Sequence, residues 1–355
     1  MYISYDYGAS WKRFQLNLPL VPITDLAVKN NDLIVATQGR AFWILDDLSV
    51  VQEMQKDITQ RDMYIFPVED AWRMNGSQNP DARNAGINPP NGVVVSYFLK
   101  DVRDSSIVKI FLLDKNKKVI SSFSTKPSGD TGKIEVSKGM NQFVWNMFYT
   151  PAEKVEGMIL WNGNVPGPKA IPGKYFVRII NDKDSAEAEV NIKPNPNFKE
   201  TQQEYEEQFN FLISVRDKFS EIQKAIKNIR DIRKQINDFM ARQGSDTAGQ
   251  IKVAADSINK KINGIEEALY QTKAKSQQDV LNYPIRLNDQ VAGLYNYASS
   301  GNYAPAQQAK DAYAFLLAKV DAELNKLKSV MEVDLPKFNQ LIRDRKLPLI
   351  GVKKE

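Results

Sequence analysis

The chain contains neither histidine nor cysteine, and this restricts the chemistry open to it. Ser-His-Asp and Cys-His nucleophilic machinery is excluded. So are disulfides, zinc–thiolate sites and imidazole-ligated metals. Carboxylate pairs, Tyr, Lys, Ser, Thr and oxygen-ligand metal sites remain. Glycoside hydrolysis needs two carboxylates, about 5–5.5 Å apart for retention and about 6.5–9.5 Å for inversion. Asp6, Asp25, Asp46 and Asp47 are the acidic residues of the N-terminal segment that such chemistry would draw on. Asp6 reads as a turn residue. Asp46-Asp47 follows an apolar run, and the pair either faces a ligand channel or simply ends a strand. No complete catalytic centre is read from the residues, and no cofactor or metal site is predicted.

Two other groups suit ligand binding. Arg40 stands at the entry to an apolar run, where it would meet an anion or pair with Asp46 or Asp47. Trp161, followed by Asn162, Gly163 and Asn164, has the composition of an aromatic sugar platform, with Trp145 and Tyr149 as possible helpers. The competing reading is core packing followed by a turn.

These residues need elements to hold them. The 355 residues are 42% hydrophobic and 26% charged, which suits a folded chain of two or three domains. The net charge of +5 is small. Basic and acidic residues interleave through the second half, as on a solvated helix face, and no nucleic-acid partner is predicted. No run of about 18 apolar residues is present, so no membrane span is expected. The N-terminus lacks the basic-then-apolar order of a signal peptide.

Composition changes near residue 196. All five Trp precede it, and no proline lies between Pro196 and Pro284. The joint is Lys193-Pro194-Asn195-Pro196-Asn197, since proline suits neither a helix interior nor a sheet ladder. Before it, short apolar runs predict strands. Residues 1–60 read as one blade-sized group, with a turn at Asn30-Asn31-Asp32. Residues 61–92 read as a connecting loop. Residues 93–193 read as a β-sandwich with strands at 93–99, 106–114, 118–124, 142–148, 174–181 and 186–193. In the last, Ala186, Ala188, Val190 and Ile192 alternate with polar residues, the period of a half-buried strand.

Residues 199–347 read as a helical bundle, followed by a tail at 348–355. Tyr205, Leu212, Val215, Phe219, Ile222, Ile226, Ile229, Ile236 and Met240 form an apolar stripe, interrupted in register by Gln208 and Arg233. The stretch Phe219 to Ile229 would serve as an oligomer seam or as the core of the bundle. Gly244-Ser245-Asp246 is expected to end this helix. Further helices are expected at about 248–272, after Pro284, from Pro305, and after a capping Asp334.

Ser4-Tyr5-Asp6-Tyr7-Gly8-Ala9-Ser10-Trp11 fits the Asp-box pattern S-x-D-x-G-x-[ST]-W. Asp6 bonds turn amides, Gly8 supplies positive φ, and Trp11 folds over the turn. With residues 18–28, 31–37 and Gly39-Arg40-Ala41-Phe42-Trp43-Ile44-Leu45-Asp46-Asp47, the segment resembles the last blade of bacterial sortilin-like, BNR-repeat β-propeller proteins. Members of that family are often labelled glycosyl hydrolases. Gln38 stands where the family usually carries His. The resemblance continues: Ile87-Asn88-Pro89-Pro90-Asn91-Gly92-Val93 resembles the family's entry into its Ig-like domain, Gly157-Met158-Ile159-Leu160-Trp161 and residues 171–178 resemble later strands of that domain, and residues 334–339 resemble the end of its helical domain.

It implies a multidomain β plus α chain: a terminal propeller blade, an Ig-like or fibronectin-like sandwich and a C-terminal helical bundle. It also implies further blades upstream and an exported location, extracellular, periplasmic or cell-surface. The function expected on this basis is non-catalytic binding or scaffolding. The alternatives are support for a glycoside hydrolase site in an upstream propeller, or a carbohydrate-binding accessory module. Partners would be the remaining blades, a carbohydrate or protein ligand, or a second copy joined through the bundle or an open blade edge.

Overall fold

The computed structural model describes residues 1–54, 57–74, 90–103, 105–129, 131–243 and 249–345. The chain is a mixed β and α protein and divides into two compact units. One comprises residues 1–150 and 170–199, the other residues 151–169 and 200–355.

The first unit opens with a two-stranded ribbon, β1 (Tyr2–Ile3) against β2 (Lys12–Arg13). A three-stranded antiparallel meander follows: β3 (Ile23–Lys29), β4 (Asp32–Thr37) and β5 (Phe42–Leu45). The β3–β4 turn is Asn30-Asn31, both with positive φ (52° and 66°). Asparagine tolerates that region, and its backbone twist matches that of the flanking strands. A short helix α1 (Ser49–Glu53) and a 3-10 turn (Ile58–Gln60) lead on.

The remaining strands are β6 (Met63–Ile65), β7 (Ala71–Trp72), β8 (Val93–Leu99), β9 (Val108–Leu113), β10 (Val119–Ser124), β11 (Gly132–Lys133), β12 (Gly139–Trp145), β13 (Gly173–Asn181) and β14 (Asp184–Lys193). They form a six-stranded sheet in the order β11-β10-β9-β13-β14-β7 and a three-stranded sheet in the order β12-β8-β6. β6 and β7 fall in the stretch expected to be a connecting loop. Met63-Tyr64-Ile65 pairs with β8, and Ala71-Trp72 pairs with β14. These pieces are too short for period-two alternation to mark them.

Both sheets contribute to one core. Val93, Val95, Tyr97 and Trp145 from the smaller meet Ile110, Leu112, Val177 and Val190 from the larger. Trp145 is fully buried, donates its indole N–H to the Phe148 carbonyl at 3.0 Å, and lies edge-on to Tyr175. Removing a side chain of this size from such a core costs about 3–5 kcal/mol. Gly92 is required beside it, because a Cβ there would come within 2.2 Å of the Trp145 carbonyl oxygen. On β14, Val190 and Ile192 are buried, while Glu187 faces out to pair with Lys117 and Arg178.

The second unit is helical. Its helices are α2 (Gln202–Gln243), α3 (Gln250–Leu269), α4 (Leu287–Ala298), α5 (Gln307–Ser329) and α6 (Leu335–Asp344). Thr201 and Glu204 form a reciprocal cap at the start of α2: the Glu204 amide donates to Thr201 Oγ1, and the Thr201 amide donates to Glu204 Oε2. The stripe at Val215, Phe219, Ile222, Ile226 and Ile229 is buried inside the unit against Ile258, Ile262, Val291 and Val320. Its two polar interruptions have partners. Gln208 donates to the Ala298 carbonyl, at the C-terminal end of α4, and to the Gly301 carbonyl just beyond it. Arg233, with Arg230, pairs with the buried Glu266 of α3.

Asp334 does not cap α6. It has helical dihedrals within a π-helical turn, Val330–Asp334, that carries α5 into α6, and its carboxylate pairs with Lys261 at 2.7 Å. The expected helix end at 244–246 and the tail at 348–355 lie outside the described residues, as do residues 87–89.

Residues 157–161 form no strand, contrary to expectation. Segment 151–169 carries Pro151, Pro166 and Pro168, which withhold ladder hydrogen bonds. Its apolar residues Ala152, Leu160 and Val165 join the helical core instead.

Candidate functional site

The Asp-box residues form a closed hydrogen-bonded turn between β1 and β2. Ser4 Oγ donates to Asp6 Oδ1 at 2.8 Å and accepts the Gly8 N–H at 2.7 Å. Asp6 Oδ1 also accepts the Ser10 N–H at 2.8 Å, and Asp6 Oδ2 accepts the Ser10 hydroxyl. The hydroxyl and amide of Ser10, then the hydroxyl of Ser4, hold the Asp6 carboxyl down at about 2. Trp11 donates its indole N–H to the Gly8 carbonyl at 3.1 Å. Tyr7 and Gly8 both have positive φ (58° and 93°), the backbone this tight turn needs. Both oxygens of Asp6 are engaged, and a carboxylate this acidic does not donate a proton near neutral pH.

Asp46 and Asp47 occupy different environments. Asp47 Oδ1 accepts the Ser49 N–H and the Asn31 side-chain amide, at 2.9 and 3.1 Å. The same Asn31 amide donates to Glu69 at 3.0 Å, and Asp32 accepts the Asp47 N–H. Asp47 therefore fixes the chain as it leaves β5. Partial desolvation, then the nearby Asp32 charge, raises Asp46 above its ordinary value. Desolvation also raises Glu69, with repulsion from Asp47 and Asp32. The arrangement is a local carboxylate cluster bridged by an amide. Among the described residues no group of three or more acidic residues has the geometry of a metal site.

Arg40 is exposed in the β4–β5 turn. Its guanidinium contacts the Gly39 carbonyl at 3.4 Å, and no ion pair to Asp46 or Asp47 forms. The Arg40 carbonyl accepts the Trp43 indole N–H.

Trp161 belongs to a loop latched onto α4. Asp289 Oδ2 accepts the Trp161 N–H at 2.7 Å, and Oδ1 accepts the Asn162 N–H at 2.8 Å. The Asn162 side chain donates back to Asp289, and Asn296 donates to the Asn162 carbonyl. Gly293 leaves room for this approach, since a Cβ there would stand 2.9 Å from Asn162 Nδ2. On the other side, Ile159 donates its N–H to the Tyr270 hydroxyl, and Leu160 is buried. The backbone is thus fixed on both sides of an indole that is 53% exposed. Trp145 cannot assist it, being fully buried in the sheet core, and Tyr149 packs against that same core.

Asp289 was not among the residues singled out from the sequence. The signal was present: Asn288 and Asp289 occupy the first turn of α4, and both are buried beside Val291 and Ala292. Polar residues on an apolar stripe mark a buried polar contact.

No protein-family model matches the chain, and no significant match to a curated protein is found.

Proposed function

We propose that this chain is a non-catalytic binding and scaffolding region, built as a propeller-type blade, an Ig-like sandwich and a helical bundle. The sortilin-like resemblance supplies the family expectation, including export and association with further blades. The observation that carries the reading is the three-stranded meander. Residues paired across antiparallel strands share a face. Leu26 and Val28 therefore lie on one face with Leu33, Val35 and Trp43. Phe42 and Ile44 lie on the other with Ile34 and Ala36. Leu26 and Val28 are 51% and 65% exposed, and Phe42 and Ile44 are 75% and 60% exposed. A sheet apolar on both faces suits a position between two other sheets, as in a propeller. Asp6, Asp32 and Asp47 hold turn amides, and Asp25 lies within β3 and accepts the Leu26 N–H, which favours a structural role for these carboxylates over hydrolysis.

Limited proteolysis with mass spectrometry tests this. The chain alone should lose residues 1–60 rapidly while the region from about 90 onward resists. Resistance of residues 1–60 in a monomeric chain would remove the blade reading.

A second reading rests on Trp161. An exposed indole on a backbone fixed from both sides suits stacking against a sugar ring. Polysaccharide binding that Trp161→Ala abolishes would establish it. Equal binding by both proteins would remove it.

A further inference from the structure

In the helical unit, an open surface groove of about 620 Å³ lies between α3, α5 and the π-helical turn. That volume lies within the range of small-molecule sites. Ile265 and Val330 line its base, and Lys260, Lys261 and Lys326 line its rim.

Gly264 also lines this groove, in the interior of α3. Glycine is the poorest helix former after proline. In a helix its missing side chain lets another group come close. Gly293 in α4 is such a case, lying against Asn162. Gly264 is not: a Cβ there would meet no atom within 4 Å. Its missing side chain leaves the groove open and serves no packing contact. The opposite wall is the π-helical turn Val330–Asp334, continuous with the helices on either side. Such turns recur at functional sites because they reset the helix register locally. Here the turn sets Asp334 against Lys261 and Val330 against the groove base.

The charges are unequal. Lys261 pairs with Asp334, and Lys326 pairs with Glu323. Lys260 has no carboxylate partner among the described residues. The rim therefore carries one uncompensated positive charge above an apolar base.

We propose that this groove binds a small amphipathic carboxylate, its apolar body against Ile265, Val330 and the space beside Gly264, and its carboxylate at Lys260. The inference is independent of the blade reading, because every residue in it belongs to the helical unit.

The test is a titration of the full chain with octanoate, followed by amide chemical shifts and by calorimetry. Saturable shifts should map to residues 260–265 and 326–334. Gly264→Leu fills the groove and improves helix propensity. It should fold with an unchanged or raised Tm while octanoate affinity falls by about tenfold or more. Lys260→Met should weaken octanoate by up to about fivefold and leave 1-octanol binding unchanged. Wild-type octanoate affinity in a folded Gly264→Leu protein would overturn the proposal. So would shifts confined to other regions, or no saturable binding.

Discussion

The Asp289 carboxylate accepts the backbone N–H of Trp161 at 2.7 Å, although the two residues lie 128 positions apart. Asp289 is almost fully buried in the first turn of α4, and its other oxygen takes the Asn162 N–H. One carboxylate thus fixes two consecutive amides and the direction in which the indole leaves the backbone. Hydrogen bonds to a charged acceptor contribute about 1.5–3 kcal/mol, more than neutral ones. Asp289→Ala should therefore lower stability by about 3 kcal/mol in urea denaturation. Amide exchange at Trp161 and Asn162 should accelerate in parallel. Asp289→Asn keeps one acceptor oxygen and should lose less. Unchanged exchange at both amides in the alanine variant would show that the loop is held by Leu160 and Ile159 instead.

The Asp-box turn has its own pH signature. Hydrogen bonds from Ser10 and Ser4 depress Asp6 to about 2 from its ordinary 3.8. A depressed carboxyl stabilises the folded turn above the unfolded value, and that contribution is lost as pH falls through the folded value. The hairpin should keep its Ser10 amide shift down to about pH 3 and lose it near pH 2. Asp6→Asn should abolish that transition and loosen the turn at all pH values. Carboxyl titration by NMR reads this directly, and a midpoint near 4 would mean the turn is open in solution.

Glu69 behaves in the opposite sense. Desolvation and the neighbouring Asp47 and Asp32 charges raise it above its ordinary 4.5, despite the Asn31 hydrogen bond. A raised carboxyl favours the folded state only while protonated, and that benefit is lost as pH rises through the folded value. Glu69→Gln removes the charge and keeps an acceptor for Asn31. The variant should be more stable than the parent at pH 7, by less than about 1 kcal/mol because the site is solvent-exposed. The difference should vanish below about pH 4. Melting curves at both pH values check it. A loss of stability at pH 7 would mean the Glu69 charge is engaged by a cation.

Strand and helix positions were legible where periodicity was long. Alternation at Ala186, Ala188, Val190 and Ile192 coincides with β14, and the stripe from Tyr205 to Met240 lies within α2. β6 and β7 were not legible, because two or three residues carry no period and their pairing is set by distant strands. Segment 151–169 misled for a related reason. Met158-Ile159-Leu160 is apolar enough for a strand, but Met158 and Ile159 bond Gln223 of α2, Asn288 of α4 and Tyr270 at the end of α3, all far along the chain. Asp334 looked like a cap, because Asp before Leu-Pro usually marks a helix start. The π-helical turn makes the chain continuous there and frees the carboxylate for Lys261. Of the candidate site residues, the Asp-box set was readable because its geometry is local. The role of Asp289 depends on tertiary placement, as does that of Glu266. Glu266 lies between Ile262 and Leu269 on the buried face of α3, and only the fold brings Arg230 and Arg233 to it.

The meander offers the sharpest test of how the first unit is used. Val28 and Phe42 lie on opposite faces of the sheet, and both are largely exposed. Substituting exposed residues outside special contacts usually changes stability by no more than about 0.5 kcal/mol. Val28→Lys and Phe42→Lys should therefore leave the Tm of the isolated chain nearly unchanged. Each should also reduce self-association at high concentration, since exposed apolar faces and open strand edges promote it. If the sheet sits between other blades when assembled, the same substitutions bury a lysine at each interface. Association with those blades should then fall by about a hundredfold or more, the cost of an unpaired buried charge. Analytical ultracentrifugation of the chain alone, and binding assays with a polypeptide carrying the further blades that the propeller reading implies, separate the two effects. A large drop in Tm for the isolated lysine variants would show that the faces are already covered within this chain. Normal assembly by both variants would show that neither face is an interface.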